Sequence, residues 1–197
     1  MMKAFVYYGL VLGLSLSLMG CAGQKSAAKS GLADPLTVDP FDPDRPPTAR
    51  TLYVMADILA SQGRDRDSQY YLERVIDEYP AYLAAYNRLA ELQMRNRQFD
   101  AAIQTLTAGL KVSPDDPVLL NNLGMCRLIQ KDYESALSHF TEAAGIAPER
   151  TRYRSNMATA LVFLDRRDEA LALYEQILPK EEALENIKRL CENVGSD

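Results

Sequence analysis

The chain has 197 residues, 27 acidic against 22 basic side chains for a formal net charge of -5, and a hydrophobic share of 47%. That balance suits a folded protein of ordinary size and excludes disorder of the whole. The acidic surplus, with no lysine- or arginine-rich run, argues against nucleic acid, whose phosphates demand a concentrated basic surface. Three cysteines, one histidine and no Cys-x-x-Cys or His cluster leave little for metal or redox chemistry, so neither a cofactor nor a metal is expected.

Residues 1–20 read as a signal peptide: Lys3 supplies the positive start and Ala4 to Met19 an apolar run, shorter than the roughly 20 residues of a spanning helix. The end of the run, Leu18-Met19-Gly20-Cys21, resembles a lipobox. That resemblance implies diacylglycerol on the Cys21 thiol, acylation of its amine after cleavage and, with Ala22 rather than Asp next to it, sorting to the bacterial outer membrane with the protein facing the periplasm. Each buried methylene of such an anchor contributes about 0.8 kcal/mol. An ordinary cleaved signal or a short membrane anchor is the alternative. Residues 21–48 are small and polar, then punctuated by Pro35, Pro40, Pro43, Pro46 and Pro47, which describes an extended tether reaching at most ~3.1 Å per residue. A partly ordered arm, with Leu36, Val38 and Phe41 docking on the first helical repeat or in its groove, is the other reading.

From Ala49 onward the apolar residues recur at helical spacing. Helices are expected at 49–61 with 67–78, 83–95 with 99–112, 117–129 with 133–147, and 151–164 with 168–178, grouped as 49–82, 83–116, 117–150 and 151–180. The pattern is plainest in 117–150. There Leu120, Leu123 and Gly124 fall at i, i+3 and i+4, and Gly124 leaves a gap beside the stripe. After the polar turn Gln130-Lys131-Asp132, small Ala136 and Ala143 flank bulky Phe140, and Pro148 stops the second helix. Pro80, Pro114 and Pro148 stand 34 residues apart. The spacing resembles the tetratricopeptide repeat, whose period it shares. The copy before supplies Tyr86, Leu89, Ala90, Ala102, Leu106, Gly109 and Pro114. A last copy has Met157, Ala158, Leu161, Ala170 and Tyr174, but its proline comes early, at Pro179. The resemblance implies an all-α, right-handed superhelix of four helix pairs. Within 181–197, a helix from Glu181 to Asn193 carries Ala183, Leu184, Ile187, Leu190 and Cys191 on one side, as a cap for the end of the stack would.

In that family the first helix of each pair lines the concave side. Tyr53, Asn87, Asn121 and Ser155 then form one row, Asp57, Glu91, Met125 and Thr159 another one turn on, with Arg88, Asn122 and Asn156 between them. An amide side chain offers two donors and an acceptor. Asparagines one repeat apart resemble the ladder with which peptide-binding grooves of the family hold an extended chain. Alternatively, these asparagines bond locally or to neighbouring turns. Arg88, Arg95 and Arg152 do not match the clamp that grips a terminal carboxylate. Met125, Leu128, Ile129, Val162 and Phe163 form either an apolar floor for a partner or inter-repeat core. His139 is expected to face solvent, and Cys126 and Cys191 to be buried free thiols.

No clustered nucleophile, acid or metal site points to catalysis, so the expected role is a membrane-anchored adaptor binding a protein or an extended peptide segment. The closing segment from Leu178 to Leu190, with Asp165-Arg166-Arg167-Asp168-Glu169-Ala170 before it, is similar to tight-adherence (Flp) pilus assembly lipoproteins of the TadD type. These imply work in assembling a pilus or secretion apparatus. A pilotin-like escort of a secretin is a second reading, and a regulatory subunit of a cell-wall enzyme a third.

Overall fold

The computed structural model describes residues 46–194; the expected signal segment, the lipidated Cys21 and the tether up to residue 45 lie outside the described residues. Among the described residues the chain forms helices and no strands: α1 (Ala49–Ser61), α2 (Asp65–Glu78), α3 (Leu83–Arg95), α4 (Phe99–Val112), α5 (Pro117–Ile129), α6 (Tyr133–Ile146), α7 (Thr151–Phe163), α8 (Arg167–Tyr174) and α9 (Lys180–Val194). They make four pairs and a closing helix, the expected all-α arrangement. None of these helices is long and apolar enough to cross a membrane.

One turn device closes every pair. Gly63, Arg97, Lys131 and Asp165, each one period after the last, take left-handed φ values of 73°, 60°, 64° and 57°. The next amide then reaches back five residues, from Arg64 to Leu59, Gln98 to Gln93, Asp132 to Arg127 and Arg166 to Leu161, at 2.8–3.0 Å. These bonds satisfy carbonyls that a helix end leaves without partners. Only Gly63 adopts the conformation freely; a side chain there costs about 1–2 kcal/mol, so helix pairing must offset it at the other three turns. The pairs are separated by a second device: Pro80, Pro114 and Pro148 stand two residues beyond the ends of α2, α4 and α6. Asp116 then caps α5, accepting from the amides of Val118 and Leu119 at 2.9 Å each, with Pro117 at the first helical position.

Two boundaries differ from expectation by more than a residue. α2 starts at Asp65 rather than Asp67, because Asp65 and Asp67 both suit the positive end of a helix and Arg64 pairs with Asp67 at 2.6 Å. α8 ends at Tyr174 rather than Leu178. Pro179 biases Leu178 away from helical geometry, and the last turns tighten, Ile177 donating to the Tyr174 carbonyl at 2.9 Å.

The packing alternates large and small. Phe140, fully buried, fills the gap left by Gly124, where a Cβ would fall 2.6 Å from the ring. Gly109 likewise lets α4 settle between Tyr86 of α3 and Leu119 of α5. Leu72 and Val75 of α2 share a cluster with Leu89 and Leu92 of α3, so the core crosses from the first pair to the second. At the far end α9 lays Ala183 and Ile187 on Ala158, Leu161, Val162, Ala170 and Tyr174. It closes the stack there.

Candidate binding groove

The first helices of successive pairs meet one another, α3 packing on α5 and α5 on α7, so they form the inner side of the array. Along it runs an unbroken chain of polar contacts. Arg88 on α3 pairs with Asp57 of α1 at 2.6 Å and with Glu91 at 3.5 Å. Asn87 donates to Glu91 at 2.9 Å and accepts, on its own oxygen, a short bond from the amide of Asn122 on α5. Asn121 donates to Asn122 at 3.1 Å and accepts from Asn156 of α7 at 2.7 Å. Four helices are thereby tied by side chains alone.

The asparagines of this chain sit at different depths. Asn121 is fully buried and Asn122 nearly so, which takes Asn121 out of the groove surface: its amide is spent on its neighbours. A buried amide stripped of partners costs about 1–3 kcal/mol, and bonding in a row removes that cost at each member. The bonds are not local: two of the partners lie 35 residues away, on the first helix of the neighbouring pair. Asn87, Arg88, Glu91, Asn156 and Thr159 are half-buried and line the groove.

The other expected residues lie at several depths. Tyr53 is half-buried with its ring 5.5 Å from that of Tyr82; burial, and then the carboxylate of Asp57, raise its pKa, so the phenol keeps its proton. Met125 and Leu128 pack on the Phe140 and Ala160 cluster, and Val162 is core against α8 and α9. Phe163 stacks on Tyr133 at 5.0 Å, and Ile129 is exposed. No continuous apolar floor results, because Met125, Leu128, Val162 and Phe163 are claimed by neighbouring helices and Ile129 alone of the five is left open. His139 does not face solvent freely: it is half-buried, its Nδ1 is enclosed without a partner, and burial lowers its pKa. Cys126 and Cys191 are free. Burial pushes the Cys126 thiol up to about 11, whereas Cys191 is half-buried rather than buried.

Some groove residues carry no clear mark in the sequence. Arg152 reaches the Asn122 oxygen at 3.5 Å. Ser155, Thr159, Tyr174, Asn186, Arg189 and Leu190 surround a cavity of about 380 Å³ where α9 meets the inner side. Thr159 shares a 2.9 Å bond with the Tyr174 hydroxyl, and Arg189 donates to Asn186 at 2.8 Å. Asn186 and Arg189, three residues apart on one face of a cap helix, were the available signal. Among the described residues no three His, Cys, Asp or Glu side chains gather to hold a metal.

Models of the tetratricopeptide repeat match residues 59–123 and 115–180. The chain is a tetratricopeptide-repeat protein. It is 30% identical over 97 residues to the DNA polymerase interacting tetratricopeptide repeat-containing protein of 47 kDa from Drosophila melanogaster, covering 47% of this chain and 24% of that one. It is 26% identical over 157 residues to human protein O-mannosyl-transferase TMTC1, covering 73% of this chain and 17% of the other. The tetratricopeptide-repeat chain therefore spans a quarter or less of these relatives. Among solved structures, MamA residues 41 to the end from Desulfovibrio magneticus RS-1 superimposes with a TM-score of 0.59 at 20% identity, over 69% of this chain and 77% of that one. A second MamA crystal structure gives 0.61 at 19% identity, over 71% and 81%. Identities this low speak for the shared fold alone. Stacked repeats of this family create extended concave surfaces.

Proposed function

We propose that this scaffold is a lipid-anchored adaptor that holds an extended segment of a partner protein along its inner side during assembly of an envelope structure, with a pilus or secretion apparatus the favoured one. The observation carrying the reading is the polar row from Asp57 on α1 to Arg189 on α9, whose outer members Arg88, Glu91, Asn156 and Thr159 keep access to a guest. Alternating donors and acceptors at the spacing of helices suit peptide groups, which carry one of each per residue. The buried members Asn121 and Asn122 hold the row in shape. Anchoring rests on Cys21 after the apolar run, and the pilus assignment on the likeness of the segment from Leu178 to Leu190 to tight-adherence lipoproteins. The mechanism is presentation rather than catalysis, and the site is the periplasmic face of the outer membrane.

A photocrosslinking amino acid at Thr159 or Asn156, followed in cells, tests the partner. Capture of a secretin, pilin or pilus assembly protein is expected, and capture of a cell-wall synthase overturns the pilus assignment. The mass of the mature amino terminus tests the anchor: an unmodified Cys21 overturns it.

A further inference from the structure

The crevices along the outer side of the array are built to one plan. Between α6 on one wall and α7 and α8 on the other lies a cavity of about 370 Å³, where Leu137 and Thr141 of α6 face Met157 and Leu161. Between α2 and the pair α3 and α4 lies another of about 410 Å³, where Ile76 faces Leu89 and Gln93. Three periods before Met157, Leu161, Arg166 and Glu169 stand Met55, Leu59, Arg64 and Asp67, and these line a cavity of about 450 Å³ between α1 and α2. Even the bordering ion pair is reproduced, Arg64 to Asp67 at 2.6 Å and Arg166 to Glu169 at 2.7 Å. One wall differs. Among the described residues, no helix stands before α1 in the place that α2 and α6 take at the inner crevices.

The side chains bordering that open wall are apolar. Ile58 is 52% exposed and Tyr70 58%, with Val54 and Met55 beside them. One and two periods after Ile58, Leu92 and Cys126 are buried by the helices around them. Position 58 thus keeps the chemistry of an inter-repeat contact.

We propose that this end face, separate from the inner groove, seats an amphipathic helix of a partner protein, laid against α1 and α2 as α6 lies against α7 and α8. The occupant presents apolar residues at i, i+3, i+4 and i+7, because helices with that pattern close the equivalent crevices. A second copy fits less well. The outward residues of α9 at the opposite end, Glu181, Glu182, Glu185 and Lys188, are charged and exposed, so head-to-tail stacking would bury charges against Ile58. Two end faces meeting each other would bring together little more than Val54, Met55, Ile58 and Tyr70 of each copy, far fewer than the roughly 20–30 residues a side of a stable pair.

The probe is a labelled synthetic helix of about 15 residues with leucines at i, i+3, i+4 and i+7 on an alanine, glutamate and lysine background, titrated against the full chain. Ile58→Asp is expected to weaken binding about tenfold or more, while Leu184→Asp, at an exposed apolar position on α9, leaves it unchanged. Tyr70→Ser on the other wall serves as the second variant, so that misfolding of one leaves a reading from the other. Equal binding by wild type and both end-face variants overturns the proposal, as does equal binding of a peptide with the same leucines out of period. Sedimentation is expected to show a monomer. A dimer abolished by Ile58→Asp would overturn the partner helix in favour of a second copy.

Discussion

The first and third helix pairs share a period but not an environment. In α5 and α6 both flanks are covered, and position after position that looks indifferent in sequence is buried, down to Asn121, Gly124 and Cys126. Among the described residues, only the flank of α1 and α2 toward α3 is covered, and Val54, Met55 and Ile58 remain exposed. The repeat pattern therefore specifies how the two helices of a pair meet. Whether a given position becomes core is decided by the neighbours. A substitution should thus cost most where neighbours stand on both sides.

The sharpest way to break this comparison is Gly124→Ala. Its new Cβ would sit 2.6–2.7 Å from two ring carbons of Phe140, itself fully buried, so neither side can yield without moving α5 from α6. Overpacking of this kind costs about 1–3 kcal/mol, and the upper end is expected here because the obstacle is an enclosed ring. Adding Phe140→Leu should recover part of the loss. Urea midpoints of the two single variants and the double variant measure it, and additive losses would mean that the contact is not the cause.

Asn121→Ala comes next, at about 2 kcal/mol. It removes the acceptor of Asn156 and the donor to Asn122 at once, in a place that water does not reach. Replacing Asp57, at the open end of the same chain and half-exposed, by Ala should change stability by a few tenths of a kcal/mol at most. Equal losses at the two ends would show that the chain of amides is not held by its buried centre. Partner capture should run in the opposite order, being more sensitive at Asn156 than at Asn121.

Much of this fold was legible because helices announce themselves through periodic apolar residues, and Pro80, Pro114 and Pro148 fixed the phase. The turns were less so. Gly63 signals a left-handed residue and Asp165 does so weakly, but Arg97 and Lys131 carry no such mark, since their φ is imposed by the pairing of helices rather than by local preference. The end of α8 at Tyr174 reflects Pro179 arriving early, a feature plain in the sequence that marks the end of the helix as well as of the array. In the groove, Arg88, Asn156 and Thr159 are found by their register on first helices, while the same register places Asn121 with them although it is enclosed. Register gives the direction of a side chain from its own helix. It does not give the partner arriving from a helix 35 residues away, nor a tail helix that brings Arg189 alongside Thr159.

A gain should be available where a position within α6 lacks neighbours. Gly145 lies inside that helix and a Cβ added there meets nothing within 4 Å. Gly145→Ala should stabilise by about 0.5–1 kcal/mol, from helix propensity. On the same helix Gly124's partner ring is packed tight, so one element holds both a loss and a gain. A thermal scan showing Gly145→Ala less stable than the parent would mean that the exposed side of α6 is occupied.

A further small effect concerns acid. His139 has its Nδ1 enclosed and its pKa lowered from 6.5, chiefly by burial and also by Arg127, with Glu142 and Asp132 pulling the other way. Above pH 6.5 the ring is neutral in both folded and unfolded chains, and its contribution is whole. As pH falls through 6.5 toward the depressed folded value, the unfolded chain takes up the proton first, so folding loses stability. One period later the corresponding residue is Leu173, half-buried on the α8 side of the core, so leucine has a precedent at this register. The His139→Leu variant should therefore match or exceed the parent at pH 7, and its advantage in urea midpoint should widen by less than about 1 kcal/mol between pH 7 and 5. An advantage that stays constant across that range would mean that the imidazole is already free to protonate in the folded chain, and that α6 is less closed on its core side than its partner Gly124 requires.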